Sequence, residues 1–354
     1  MDELGSNDVW GTLLPHEQFL VAQRAAARLA REWRETIPNV VGVGAGFRVR
    51  KGVREKEVVL QVLVRRKCPP SGAGDVPHSV PESLRVGGAR LRCLVPTDVD
   101  PVGSGGPGGA LASLDGGVVA HCDPWPPVTA FDGVGGTVAA VLTTDPPAGR
   151  QFLLGCHHVF TCSLLRNAVF GGWDPMPGAR VSLPGDGSGL VGPTVRWTDL
   201  TPLDGSFGMD AALAEVWVRG GVAPRGQGPK PAASATAAKA IDEARLYTPR
   251  QGVPSGSISC QLSGLFERVL LPYNDTEIEF RLLYRYFPEI PNGDGDSGAP
   301  LIDGNGTWLG MHVWSGPVYD DVEGSGRTVA YAIPAWELLK PGLFADLPRL
   351  RLAP

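Results

Sequence analysis

Residues 293–300 read Gly293-Asp294-Gly295-Asp296-Ser297-Gly298-Ala299-Pro300. A serine set among small residues, followed by proline and an apolar run, lies on a tight turn. Glycines there let backbone N–H groups crowd around one point, as stabilising an oxyanion requires. A serine hydroxyl is a weak nucleophile until an imidazole takes its proton and a carboxylate orients that imidazole. Two segments carry such groups. His158 follows the apolar Phe152-Leu153-Leu154, as a residue at a strand end would, and Asp210 opens the apolar run Ala211-Ala212-Leu213-Ala214. His157 is the rival base, because neighbours on a strand point to opposite sides and one of the two faces the serine. Asp199 and Asp204 are rival carboxylates, but neither opens an apolar strand and both read as loop residues.

Other chemistries fit less well. The α/β-hydrolase order needs an acid and then a histidine after the serine. Only Asp303 and His312 are available there, in too local a segment, and Gly295-Asp296-Ser297-Gly298-Ala299 fails the Gly-x-Ser-x-Gly elbow at its last place. Cys156, His157, His158 and Cys162 have metal-binding side chains, but two adjacent histidines on a strand cannot readily grip one ion. Asp294 and Asp296 read as turn chemistry, with too few further carboxylates nearby for calcium. Neither a metal nor a cofactor is expected.

The elements that must position these residues follow from composition. Glycine (48) and proline (33) are abundant in 354 residues, while 43% of the chain is hydrophobic and 19% charged. Such a chain can bury a core, and its many turns argue for short strands over a helical bundle. A net charge of −5 leaves no basic footprint for nucleic acid. No apolar run reaches the ~18 residues of a membrane span. The acidic N-terminus lacks the pattern of a signal peptide, so a cytoplasmic location is expected. The six cysteines show no CxxC spacing and read as small buried apolar residues.

Periodicity predicts one amphipathic helix over His16–Glu35, with Phe19, Ala22, Ala26, Leu29 and Trp33 on its apolar face and Pro38 ending it. A hairpin of residues 40–49 and 55–67 follows, with Val58, Leu60, Val62 and Val64 on one face. Residues 99–110 read as a Gly-rich linker, and 136–144, 150–160 and 211–218 as strands. The low-complexity stretch 220–239 reads as an exposed connector. Short strands resume to the end of the chain. These features predict a mostly β fold with an α+β unit (1–98) in front, a β-rich half at 99–219, the connector, and a second β-rich half at 240–354.

The motifs resemble those of trypsin-like (chymotrypsin-fold) serine proteases. GDSGAPL is similar to the active-serine signature, LGCHHVF to the active-histidine segment and MDAALAEV to the aspartate segment, in the family's order. Val41–Gly46, Val64–Lys67, Gly136–Val141 and Asp210–Ala214 also resemble a cytosolic bacterial and plant branch that includes the rice narrow-leaf protein. The resemblance spans residues 40–335. It implies two six-stranded antiparallel β-barrels with the site between them. Ser297 would be the nucleophile, His158 the base, and Asp210 the orienting carboxylate. The N–H groups of Gly295 and Ser297 would form the oxyanion hole. The family's valine after the active histidine favours His158 over His157. The implied substrate is a protein or peptide.

In this family the strand after the serine lines the primary pocket, here Gly310-Met311-His312-Val313-Trp314-Ser315-Gly316, and Pro291 takes the place of the pocket floor. Pro291 is no acid, so cleavage after Arg or Lys lacks its salt bridge. Histidine at 312 is similar to segments of the staphylococcal glutamyl endopeptidase and of picornaviral cysteine proteases. This implies a preference for Glu, Asp or Gln; the alternative is a histidine bonded within the barrel beside a small apolar pocket. Val313 departs from the family, where a serine supports the aspartate. The N-terminal helix could pack on the hairpin, cover the cleft or mediate assembly into a homo-oligomer. Limited processing of a partner protein is expected, a defence effector being one candidate. A catalytically weak pseudo-protease that holds peptides is the competing class.

Overall fold

The computed structural model describes residues 9–50, 53–66, 76–86, 89–106, 119–123, 134–144, 150–161, 180–182, 190–202, 206–217, 230–231, 243–248, 256–273, 276–293, 295–319, 326–344 and 347–353. Nearly all of the expected connector, together with Cys68, Cys162, Asp204 and Asp294, lies outside these residues.

Helix α1 (Pro15–Thr36) begins with proline at its first position, where no N–H is needed, and Glu17 accepts the Leu14 N–H at 2.9 Å. Its five expected apolar residues are buried. The chain turns at Asn39, whose φ of 76° asparagine tolerates. The Asn39 side chain accepts the Arg66 N–H at 3.0 Å, tying that turn to the far end of the hairpin.

That hairpin is β1 (Val40–Arg50) against β2 (Val53–Val64). Residues 58–64 are all buried, not only the expected face, because the sheet is covered on both sides. Val58, Leu60, Val62 and Val64 share a core with α1, whereas Leu63 joins a second core. Strand β2 pairs in parallel with β4 (Ala89–Pro101), which pairs with β3 (Ser79–Val86).

The N-terminal strands continue a sheet supplied by the end of the chain, because β1 also pairs with β14 (Ser257–Tyr273). Six strands of that sheet pair in a cycle: β13 (Glu243–Tyr247), β14, β15 (Thr276–Pro288), β18 (Gly326–Pro334), β17 (Thr307–Tyr319), β16 (Pro300–Asp303) and back to β13, while the short β12 (Lys230–Pro231) pairs in parallel with β17. A second sheet has eight described strands in the order β19 (Leu350–Leu352), β7 (Ala140–Thr144), β8 (Gln151–Gly155), β11 (Ala212–Glu215), β10 (Leu190–Trp197), β9 (Arg180–Ser182), β5 (Val119–Asp123), β6 (Val134–Thr137). The fold is mostly β. The first half takes a strand from the end of the chain, β19, which pairs with β7.

Two buried cores meet across shared strands. On β14, Leu265 lies in the core with α1 and Phe266 in the core of the second sheet, as period-2 side chains of a doubly covered strand must. Of the expected linker 99–110, residues 99–106 are structured and 107–110 lie outside the described residues. Residues 99–101 complete β4, and Asp100, almost wholly buried, meets Arg285 at 2.6 Å and Arg327 at 2.7 Å. The following residues lie along β17, where Gly106 and Ser315 form an antiparallel bridge. Glycines suggested slack, but here they allow close backbone approach.

Candidate active site

The strand expected over 150–160 stops at Gly155, and His157–Phe160 form a single helical turn, α2. Phe160 folds back over Gly155, where a Cβ would lie 2.4 Å from its ring, so the strand cannot run on. Both histidines are buried on this turn, and strand alternation does not separate them. Their partners do. The His157 Nδ1 sits 2.5 Å from the Thr198 carbonyl, which can only accept, so Nδ1 carries the proton. Burial lowers the His157 pKa against the pull of Asp210, and the ring is a neutral brace.

His158 turns instead to Asp210. Its backbone N–H donates to Oδ1 at 3.0 Å and its Nδ1 lies 2.5 Å from Oδ2. Burial raises the Asp210 pKa, but the His158 ring and amide outweigh it, and the net shift is downward. The carboxylate is therefore ionised, Nδ1 carries the proton, and Nε2 is left as the basic atom. That Nε2 is buried without a hydrogen-bond partner. This is the tautomer that can accept a proton from an alcohol.

Two residues that sequence reasoning did not single out hold the couple. Thr198 brackets Asp210 on both sides, its hydroxyl lying 2.5 Å from the Met209 carbonyl and accepting the Ala211 N–H at 3.1 Å. Tyr273, the last residue of β14, is fully buried, and its hydroxyl lies 3.0 Å from Asp210 Oδ2 and 3.3 Å from the Val313 carbonyl. Burial, then the charge of Asp210, push the phenol pKa well up, so it stays a donor. Its ring meets the His158 ring edge-on at 6.4 Å. Of the rival carboxylates, Asp199 is exposed, and its carbonyl accepts the Met209 N–H.

The Ser297 turn is held from the opposite sheet. Thr137 of β6 donates its N–H to the Ser297 carbonyl and its hydroxyl to the Gly295 carbonyl, both at 2.7 Å. Gly298 has φ of 90°, and a Cβ there would lie 2.0 Å from the Thr137 carbonyl and 3.7 Å from Cys156 N, so the turn packs against the segment that carries His158. Asp296 is buried and accepts from the Thr248 hydroxyl at 2.5 Å and from the Gly293 N–H at 2.9 Å. Gly295 has φ of 91°, a conformation suited to glycine. Ser297 and His158 both have 0% exposure.

Of the expected pocket residues, Pro291 is exposed, Val313 and Trp314 are buried in a core, and Ser315 is partly exposed. Trp314 donates its indole N–H to the Pro272 carbonyl at 2.8 Å. His312 is fully buried with Nδ1 2.7 Å from the Tyr286 hydroxyl, and the Tyr331 backbone also bonds the ring. Burial, then the nearby His158, push its pKa down to about 3, leaving a neutral ring.

Metal-binding atoms of Cys156, His158 and Asp210 lie within 4.8 Å of one another. Burial, then Asp210, push the Cys156 thiol pKa well up, and a thiol that keeps its proton is a poor ligand. Asp210 Oδ2 already holds His158 and Tyr273. The donor set fits an ion poorly. Cys93, Cys156 and Cys260 are buried, as expected of small apolar residues.

No protein-family profile and no curated protein matches the chain. Among solved structures the chain is similar to the active form of the Rv3671c protease from M. tuberculosis, at 15% identity over 68% of this chain and 85% of that chain, with a TM-score of 0.37. It is also similar to the MamO protease domain from Magnetospirillum magneticum in its apo form, at 13% identity over 64% of this chain and 97% of that chain, with a TM-score of 0.33. Likeness of this degree assigns no activity.

Proposed function

We propose that the chain is a trypsin-like serine endopeptidase, with its site between two β-barrels, that processes a protein or peptide. The observation that carries this reading is the buried His158–Asp210 couple, whose protonated Nδ1 leaves Nε2 as the basic atom, on a segment whose Cys156 packs against the Gly298 turn. In the reaction the Ser297 Oγ attacks the scissile carbonyl while His158 Nε2 takes its proton. The N–H groups of Gly295 and Ser297 hold the oxyanion. His158 then protonates the leaving amine, and water hydrolyses the acyl-enzyme by the same route.

The pocket reading is a preference for a substrate acceptor group, on Glu, Asp or Gln. A neutral imidazole at 312, in the strand after the serine, can donate one N–H to such a group. Pro291 offers no charge for a basic residue. Cleavage-site profiling with a peptide library should give products cut after Glu, Asp or Gln. Cleavage confined to Arg and Lys would overturn the pocket reading.

One observation favours the second reading, a peptide-holding module of weak activity: Ser297 and His158 expose no surface, so substrate cannot reach them without movement. The two readings part on whether Ser297 reacts.

A further inference from the structure

We propose that residues Gly103–Gly106 are an internal strap that occupies the edge on which a substrate peptide would bind, so that the chain holds its own site closed. The inference rests on the endopeptidase reading above. Strand β16 pairs with β17 no further than Met311, and His312 still exchanges backbone bonds with Gly298 and Ala299, so that edge of β17 is open to another strand only beyond His312. It is also the edge that carries the expected pocket wall, His312–Ser315. An extended peptide binds such an edge by adding a strand to it.

That place is taken by the chain itself. The Gly106 N–H donates to the Ser315 carbonyl at 3.1 Å, and the Ser315 N–H donates back to the Gly106 carbonyl at 3.3 Å. Two residues upstream, the Ser104 N–H donates to the Pro317 carbonyl at 2.9 Å. The strap thus satisfies the backbone groups of residues 315 and 317 in antiparallel fashion, as a peptide would.

Its sequence suits the position. A Cβ on Gly105 would lie 2.0 Å from the Ser315 carbonyl oxygen, and one on Gly316 would lie 2.4 Å from the Gly105 Cα. Gly103 has φ of 102°, and a Cβ there would meet Val329 at 2.8 Å. The upstream end is anchored: the Asp100 pair with Arg285 and Arg327 fixes it, the Val102 N–H donates to the Val64 carbonyl at 2.8 Å, and Tyr331 donates to the Val102 carbonyl at 3.1 Å. Beyond Val102 the described contacts with β17 are the Ser104 bonds to Pro317 and the longer Gly106–Ser315 pair, and Ser104 is exposed. A segment joined to its strand by a few solvent-facing backbone bonds opens locally at low cost. A closed population lowers apparent substrate affinity by the fraction of molecules that are open.

The test uses the full chain and two probes read by mass spectrometry on Ser297. A small fluorophosphonate reports whether the serine reacts. A mixture of acetyl-Ala-Ala-Xaa diphenyl phosphonates reports access to the peptide edge. In Gly105→Val, whose side chain cannot fit under Ser315, the peptidyl probes should react at least tenfold faster than with the wild type. Equal rates in a folded variant overturn the strap. If the fluorophosphonate labels neither protein, the endopeptidase reading fails instead. Should Gly105→Val not fold, the pair Gly106→Cys with Ser315→Cys decides. The oxidised form should resist the peptidyl probes and the reduced form accept them, and equal rates in both forms overturn the proposal.

Discussion

Tyr273 donates its hydroxyl to Asp210 across 63 residues of chain, at 3.0 Å, onto the oxygen that also holds the His158 ring. Val313, in place of a serine that could support the carboxylate, offers only its carbonyl to the same hydroxyl. Support for Asp210 thus comes from β14 and not from β17. Tyr273 is a positioning residue: it fixes the rotation of the carboxylate so that one oxygen meets the His158 amide and the other its ring.

Tyr273→Phe keeps the buried ring and removes the donor. It should lower kcat about tenfold, equivalent to about 1.4 kcal/mol, with KM nearly unchanged. The loss should vanish in an Asp210→Asn background, because the hydroxyl then has no carboxylate to hold. Steady-state kinetics of the four proteins checks this. An equal loss in both backgrounds would mean that the phenol only fills space.

The Asp100 cluster predicts a large stability effect far from the chemistry. Arg285 has 0% exposure, and Asp100 is its close acidic partner. Asp100→Asn should destabilise the fold by about 3–5 kcal/mol, since it leaves a buried guanidinium without its counter-charge. Adding Arg285→Met should recover part of that loss. Denaturant unfolding of both variants measures it.

Acid should destabilise the protein through its buried histidines. Burial, then His158, push His312 down to about 3, from 6.5 when unfolded. Between these values the unfolded chain binds a proton that the folded chain refuses. The stability contribution is therefore complete above pH 6.5 and declines as pH falls toward 3. His312 alone should cost about 1.4 kcal/mol per pH unit in that window. The lowered His157 adds the same sign. Tm should fall between pH 6.5 and 4.5, and His312→Gln should flatten the slope by about one proton. An unchanged slope would show that His312 is not the group responsible.

Local pattern made some of this legible. The period of Phe19, Ala22, Ala26, Leu29 and Trp33 marks α1, and the alternation of 58–64 marks β2, because both signals come from neighbours along the chain. His158 and Asp210 were found by residue type and by their apolar flanks. The turn on which His158 sits was not, since it depends on Phe160 closing over Gly155. Thr198, Tyr273 and Thr137 act on partners 11 to 158 residues away and leave no local trace. The residues after Val99 misled for a related reason: Gly103 and Gly105 read as slack, whereas the strand they lie against demands them.

The central claim is that Ser297 is a nucleophile activated by His158. The direct measurement is covalent labelling of the folded protein by a small fluorophosphonate, with the adduct located by mass spectrometry, compared with Ser297→Ala and His158→Ala. The account predicts one adduct on Ser297 in the wild type, none in Ser297→Ala, and labelling at least a hundredfold slower in His158→Ala. A folded wild type that takes no label, or takes it equally after Ser297→Ala, would contradict it.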